Sequence, residues 1–124
     1  MFQLDFKSGV PICDQIANGF IKLKALGILK SGDQLPSVRT LASKFAVNPN
    51  TVQKSYAMLE ANGIIYSIKG KGSFISDDEK AANAILETAR QDFINAICHA
   101  KELGLNTNDM INLIKQTTEK EDAK

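Results

Sequence analysis

The chain is poor in the residues that most enzyme and metal chemistry requires. In 124 residues it has one histidine, His99, and two cysteines, Cys13 and Cys98. His99 stands beside Cys98, and adjacent positions point to different sides of a helix, so they make a poor chelating pair. Cys13 and Cys98 lie far apart and fit neither metal nor disulfide spacing, so reduced structural thiols are expected. No acid pair, no nucleophile with a base and no cofactor motif emerges, so neither a catalytic site nor a cofactor nor a metal is expected. No apolar run is long enough to cross a membrane, and residues 1–11 lack a signal-peptide pattern. The expectation is a cytoplasmic protein with no membrane partner. Net charge is scarce too: 15 basic against 14 acidic residues leave only +1.

That small total hides an uneven distribution. Residues 1–76 hold nine Lys or Arg and four acids, giving +5, while the remaining 48 residues hold six and ten, giving −4. One half attracts phosphate and the other repels it, which suggests two jobs and a preferred orientation. The length, with 44% hydrophobic residues, allows one modest core plus a small appendage.

The most informative stretch is 35–75, which reads as helix, tight turn, second helix and glycine-centred hairpin. Ser37 is a good N-cap, and Val38, Leu41, Ala42 and Phe45 then recur at helical spacing. Ala46 and Val47 bring the chain round to a second cap, Asn48, with Pro49 at the first helical position, where its missing N–H costs nothing. Val52, Tyr56 and Leu59 make the buried stripe of this helix, and Gly63 suits its end. Asn50, Thr51, Gln53 and Lys54 are left on the outer face of the first turns, where short polar groups and a cation suit base edges and phosphates. For this helix alone, an ordinary solvated face would be the simpler reading. The neighbouring turn and hairpin reverse that.

Residues 64–68 and 73–75 have strand composition and flank Lys69, Gly70, Lys71 and Gly72. Glycines allow close approach to a partner, and two lysines give the tip a phosphate-seeking charge. As a phosphate-cradling loop the segment fails, because no helix follows at the spacing of a nucleotide-binding motif. Upstream, Phe2, Leu4 and Phe6 alternate with polar residues and predict a short strand. Pro11 opens a helix with the stripe Ile12, Ile16, Phe20 and Leu23, stopped near Gly27.

From Asp77 onward the character changes. Acids at 77–79 favour a helix start. Ala82, Ile85, Leu86, Ala89, Phe93, Ala96, Ile97, Ala100 and Leu103 then repeat at three and four residues. Gly104 ends this helix, and Thr107 can cap a last one carrying Met110, Ile111 and Ile114. Two such helices cannot enclose a ligand pocket, so the stripe needs a partner. Either it folds back on the first domain, or it pairs with a second chain through Ile85, Leu86, Ala89, Phe93, Ile97 and Ala100. Two-fold pairing is the reading adopted, since helix-turn-helix proteins gain affinity and half-site selection from symmetry. The expected domains are a winged helix-turn-helix at 1–76, a dimerisation segment at 77–117 and a frayed tail at 118–124. The fold class is mainly α with a small β-hairpin wing.

Leu35, Pro36, Ser37, Val38 and Arg39, then Leu41 and Ala42, then the run from Val47 to Val52, with Tyr56, Leu59, Glu60, Gly63 and residues 70–74, carry a resemblance. Nearly position by position, they resemble the winged helix-turn-helix of the GntR family of bacterial transcription regulators. The two C-terminal helices, similar in pattern rather than in motif, resemble its short YtrA-like branch, which implies a homodimer without a large effector domain. The resemblance implies double-stranded DNA as partner, an inverted-repeat operator, repression by obstruction and control of transporter genes. It sets Arg39 against the DNA, where a guanidinium can pair bidentately with a guanine edge. Asn48, Asn50, Thr51 and Gln53 would contact bases or phosphates, and Ser37, Lys54, Gly70 and Lys71 mainly backbone. Pro49 stands where other branches carry a basic residue, so one charged contact is missing. An aromatic residue is common in the family where Cys13 stands.

Two other classes were weighed. A winged helix that binds only protein would tolerate acidic or bulky apolar residues where this chain has Asn50, Thr51, Gln53 and Lys54. A metabolite-responsive sensor would need its ligand at the dimer interface, and nothing in the sequence identifies an effector.

Overall fold

The computed structural model describes residues 1–122, and its helix starts follow the caps that the sequence supplies. Pro11 precedes α1 (Ile12–Ala25). The Ser37 hydroxyl accepts from the Thr40 N–H (3.1 Å) to open α2 (Val38–Phe45). Asn48 Oδ1 accepts from the Asn50 N–H (2.8 Å) ahead of Pro49, the first residue of α3 (Pro49–Ala61). The turn between α2 and α3 passes through Ala46 at φ 55°, the one non-glycine residue with positive φ among the described residues. That conformation costs a β-carbon on the order of 1 kcal/mol, which the packed helices on both sides hold in place. A hairpin follows, β1 (Ile65–Ile68) against β2 (Gly72–Ile75), with Ile65 opposite Ile75 and Ile68 opposite Gly72.

Residues spaced for one helical face do meet in one core. Ile16 and Phe20 of α1, Leu41 of α2, Val52 and Leu59 of α3, and Ile64 and Ile75 beside the hairpin are fully buried. Tyr56 joins them with its ring edge-on to Phe20 (5.8 Å between centroids), and its hydroxyl donates to the Pro36 carbonyl (2.7 Å). Ser55, also fully buried, donates to the Cys13 carbonyl (2.7 Å). Two side chains of one helix thereby satisfy polar groups at both of its flanks.

The strand expected at Phe2, Leu4 and Phe6 does not form. A strand needs a neighbouring edge, and here the local polar groups are already engaged. Gln15 accepts from the Asp5 N–H and donates to the Asp5 carbonyl (2.8 Å each), and Asp5 closes a turn onto the Lys7 N–H. Phe2 instead lays its ring on α1 and α2, 5.2 Å from Phe20 and 5.3 Å from Phe45. Gly19 leaves room for it, since a β-carbon there would lie 2.6 Å from that ring. Phe6 is exposed.

By its internal contacts the chain divides into two compact units, Met1–Ala84 and Ile85–Lys124. The division falls inside α4 (Glu79–Glu102), whose first turn is capped by Asp78 accepting from the Ala81 N–H (3.0 Å). None of the residues of α4 is buried; Phe93 is 50% and Leu86 56% exposed. The last helix, α5 (Thr107–Asp122), is capped not by Thr107 but by Asn106, which accepts from the Asp109 N–H (2.9 Å). Both residue types can cap, and the turn after Gly104 happens to present the asparagine. The segment expected to fray from 118 is helical through Asp122; the rest of it lies outside the described residues.

Burial pushes the Tyr56 phenol above its ordinary value of 10.0, so it stays a donor through the neutral range. Tyr56→Phe removes the donor to Pro36 and should cost about 1–2 kcal/mol in urea unfolding at neutral pH. The raised value means that protonated phenol is favoured by folding. The contribution is therefore complete below the unfolded value and is lost progressively as pH climbs from there through the raised folded value. The stability gap between wild type and variant should hold steady from about pH 6 to 9 and narrow above about 10. A gap that stays constant into the alkaline range would contradict this assignment.

Candidate nucleic-acid interface

The inner face of α3 is spent on the core, and this decides what its outer face can be. With Val52, Ser55, Tyr56 and Leu59 buried, Asn50, Gln53 and Lys54 stand exposed in the first two turns and Thr51 is half-buried. Asn48 and Pro49 are exposed at the entrance. The Asn48 side-chain oxygen is committed to its cap, so the amide NH2 group remains to meet a partner. Ser37 is similarly engaged, accepting from the Thr40 N–H and donating to Thr40 Oγ1 (2.8 Å).

Neither α2 nor α3 has an acid in its first turn, so the positive ends of both helix dipoles are left without a countercharge from their own helices. Arg39 occupies the second position of α2, is exposed, and makes no ion pair among the described residues. A cation at a helix N-terminus opposes the dipole and costs the helix about 0.3–1 kcal/mol at an exposed site. Among the described residues no ion pair accounts for an arginine in this position.

Across from α3 stands the wing. A cleft of about 390 Å³ lies between them, lined by Val38, Gln53, Glu60, Ile68, Gly70 and Lys71 among others. The fold thus brings Gln53 of the second helix together with Gly70 and Lys71 of the hairpin tip, residues far apart in sequence. Glu60 sits in this cleft and accepts weakly from the Ser67 hydroxyl (3.4 Å). Glu60 thus shares the cleft with Lys69 and Lys71, setting one acid against two cations. Reading the sequence gave Glu60 no such place, because its spacing only says that it lies on α3. Gln34 was also overlooked: its side chain donates to the Lys71 carbonyl (2.8 Å), a contact with no local signature.

Other chemistry has little to build on. Among the described residues, no three His, Cys, Asp or Glu side chains are grouped to hold a metal ion. Cys13 is half-buried and Cys98 exposed, both as free thiols. No described helix is long and apolar enough to cross a membrane.

Comparison with known proteins agrees with this geometry. Residues 24–75 match the family described as bacterial regulatory proteins, gntR family. The chain is 48% identical over 80 residues to the HTH-type transcriptional repressor YtrA of Bacillus subtilis, a match spanning 64% of this chain and 62% of that protein. It is 35% identical over 115 residues to the HTH-type transcriptional regulator YhcF of the same organism, spanning 92% of this chain and 95% of the other. Among solved structures, a GntR family transcriptional regulator from Listeria monocytogenes superposes with a TM-score of 0.73 at 35% identity, over 90% of this chain and 98% of that one. The chain belongs to the GntR family of bacterial regulatory proteins, among its short YtrA-like members, a family of DNA-binding transcription regulators rather than of enzymes.

Proposed function

We propose that this chain is a repressor that binds an inverted-repeat operator as a homodimer in the cytoplasm and controls a transporter operon. The observation that carries the reading is the coincidence of three features in the first unit. These are the acid-free starts of α2 and α3, Arg39 set against its own helix dipole, and a lysine-tipped wing beside Gln53. Segment 1–76 reads the DNA in this account, and 77–117 pairs the protomers. Arg39, Asn48, Asn50, Thr51 and Gln53 face bases or phosphates, while Ser37, Lys54, Gly70 and Lys71 hold the backbone. Likeness to the YtrA-like branch supports the transporter target. A purely protein-binding winged helix fits less well, since the outer face of α3 offers amides and a lysine where an apolar docking patch would be needed.

Support for the dimer comes from the second unit. Leu86, Phe93 and Ile94 on α4, Leu103 just after it, and Ile111, Leu113 and Ile114 on α5 are exposed. An open groove of about 720 Å³ between α4 and α5 is lined by Phe93, Ile97, Ala100, Met110 and Ile114 among others. Large apolar side chains left exposed along two helices and around one groove are the kind of surface that a partner covers. A second copy buries it and fixes the separation of two recognition helices.

Arg39→Ala separates the reading from a structural role. Operator affinity should fall by about 1–3 kcal/mol, while thermal stability should stay level or rise slightly as the dipole conflict is relieved. Titration of a duplex selected from a random pool, with a melting curve alongside, reads both; unchanged affinity removes Arg39 from the interface. Lys71→Ala should weaken binding to every sequence alike and lower the salt slope by about one. A loss confined to one base position would mean that the wing reads sequence instead. Phe93→Glu should yield monomers whose first unit still folds but which bind the full site weakly. Sedimentation decides this, and a wild type that is monomeric at micromolar concentration yet binds the full site tightly overturns the dimer.

A further inference from the structure

A two-stranded hairpin of four-residue strands is marginal on its own, so something must hold this wing still. Its outer edge is β2, and the chain just before α2 runs antiparallel along it. The Gly32 N–H donates to the Ile75 carbonyl (2.8 Å), the Ile75 N–H to the Asp33 carbonyl (2.8 Å), and the Leu35 N–H to the Ser73 carbonyl (2.9 Å). Gln34 pairs with Phe74 across this edge. There the main-chain rungs stop: the next N–H due on this edge is two residues beyond Leu35, at Ser37, where the chain has already turned into α2. Yet the part of the wing that matters lies further on, at the tip.

The Gln34 side chain supplies the missing rung. Its amide nitrogen donates to the Lys71 carbonyl (2.8 Å). To do so it lies against the α-carbon of Gly72, where a β-carbon would be 2.8 Å from that nitrogen. Gly72 also has φ +119°, a backbone conformation that favours glycine, and a β-carbon there would push the Gln34 amide off its carbonyl. The Lys71 N–H closes the turn onto the Ile68 carbonyl (2.9 Å). Both main-chain groups of Lys71 are therefore held, one by the turn and one by a residue 37 positions away in sequence.

We propose that Gln34 is a positioning residue for DNA binding: it continues the sheet edge by one rung and fixes the direction from which Lys71 leaves the wing. The inference rests on the reading that the wing lies against DNA. Fixing the lysine's main chain in advance removes part of the ordering cost that a mobile tip would incur on meeting a phosphate. Gln34 carries no charge, so whatever it does to salt dependence it does through Lys71.

Gln34→Met keeps the length of the side chain over Gly72 and deletes the donor. Full-length Gln34→Met, Lys71→Ala and the double variant are titrated with a labelled mixed-sequence duplex and with a duplex selected from a random pool, over a series of salt concentrations. Circular dichroism follows the fold of each. Gln34→Met should weaken binding to both duplexes by about three- to ten-fold and lower the salt slope, with the thermal midpoint nearly unchanged. In the Lys71→Ala background the same substitution should change affinity by less than about two-fold, since coupled residues are not additive. If Lys71→Ala weakens binding while Gln34→Met does not, the positioning role is wrong and the wing reading stands. If the two losses add in full, Gln34 touches DNA itself and the positioning role is likewise overturned. If Lys71→Ala changes neither affinity nor slope, the wing reading fails and this inference with it.

Discussion

The position of α3 depends on one polar contact made inside an apolar core. The Tyr56 hydroxyl reaches the Pro36 carbonyl at the point where the chain enters α2, so one side chain of the second helix is tied to the start of the first. Its ring meanwhile packs on Phe20 of α1. Apolar packing alone tolerates small sliding, because it is not directional; a buried hydrogen bond does not, because leaving the carbonyl unpaired costs the full desolvation of that group. Ser55, one residue earlier, adds the same constraint toward α1 through the Cys13 carbonyl. With its inner face held by two directional contacts, α3 has one rotation available. That rotation leaves Asn50, Gln53 and Lys54 outside.

Electrostatics then explains why these outer residues are what they are. The first unit is complete without them, since among the described residues no buried side-chain polar atom lacks a partner. Acids at the first turns of α2 and α3 would stabilise the helices, and none is there. A cation stands in the first turn of α2 instead. Both helix starts forgo that stabilisation, in a unit whose wing carries two lysines. Such concessions are expected where a surface serves a ligand of opposite charge.

What could be read from the sequence was what local chemistry determines. Ser37, Asn48 and Pro49 act on amides within three residues of themselves, so their caps were legible without any fold. The glycine-centred hairpin and the apolar stripe of α3 were legible for the same reason. The N-terminal strand was misread because alternation at Phe2, Leu4 and Phe6 says nothing of whether a sheet edge is nearby, and the cavity over Gly19 took Phe2 instead. Thr107 and Asn106 compete for one cap with nearly equal chemistry, and only the turn geometry chooses. Gln34 and Glu60 were missed at the interface because their significance comes from what the fold sets beside them, the wing tip in both cases. Of the candidate interface, then, the groups that present themselves at helix starts were legible, and those that tune the wing were not.

The two units differ in how they meet the cost of ordering a chain. In Met1–Ala84, three helices and a hairpin bury a shared core, so the helices are held by tertiary contact. In Ile85–Lys124, long helices with exposed apolar side chains retain conformational order without a comparable burial. Helices of this kind draw most of their stability from an apolar face that finds a partner. Under the dimeric reading that partner is a second copy, and folding of this unit becomes coupled to protein concentration. Binding to a two-fold operator would then be steep in concentration for a reason lying outside the DNA-facing surface. Occupancy would be set jointly by the affinity of each winged helix and by the assembly of the helices that join them.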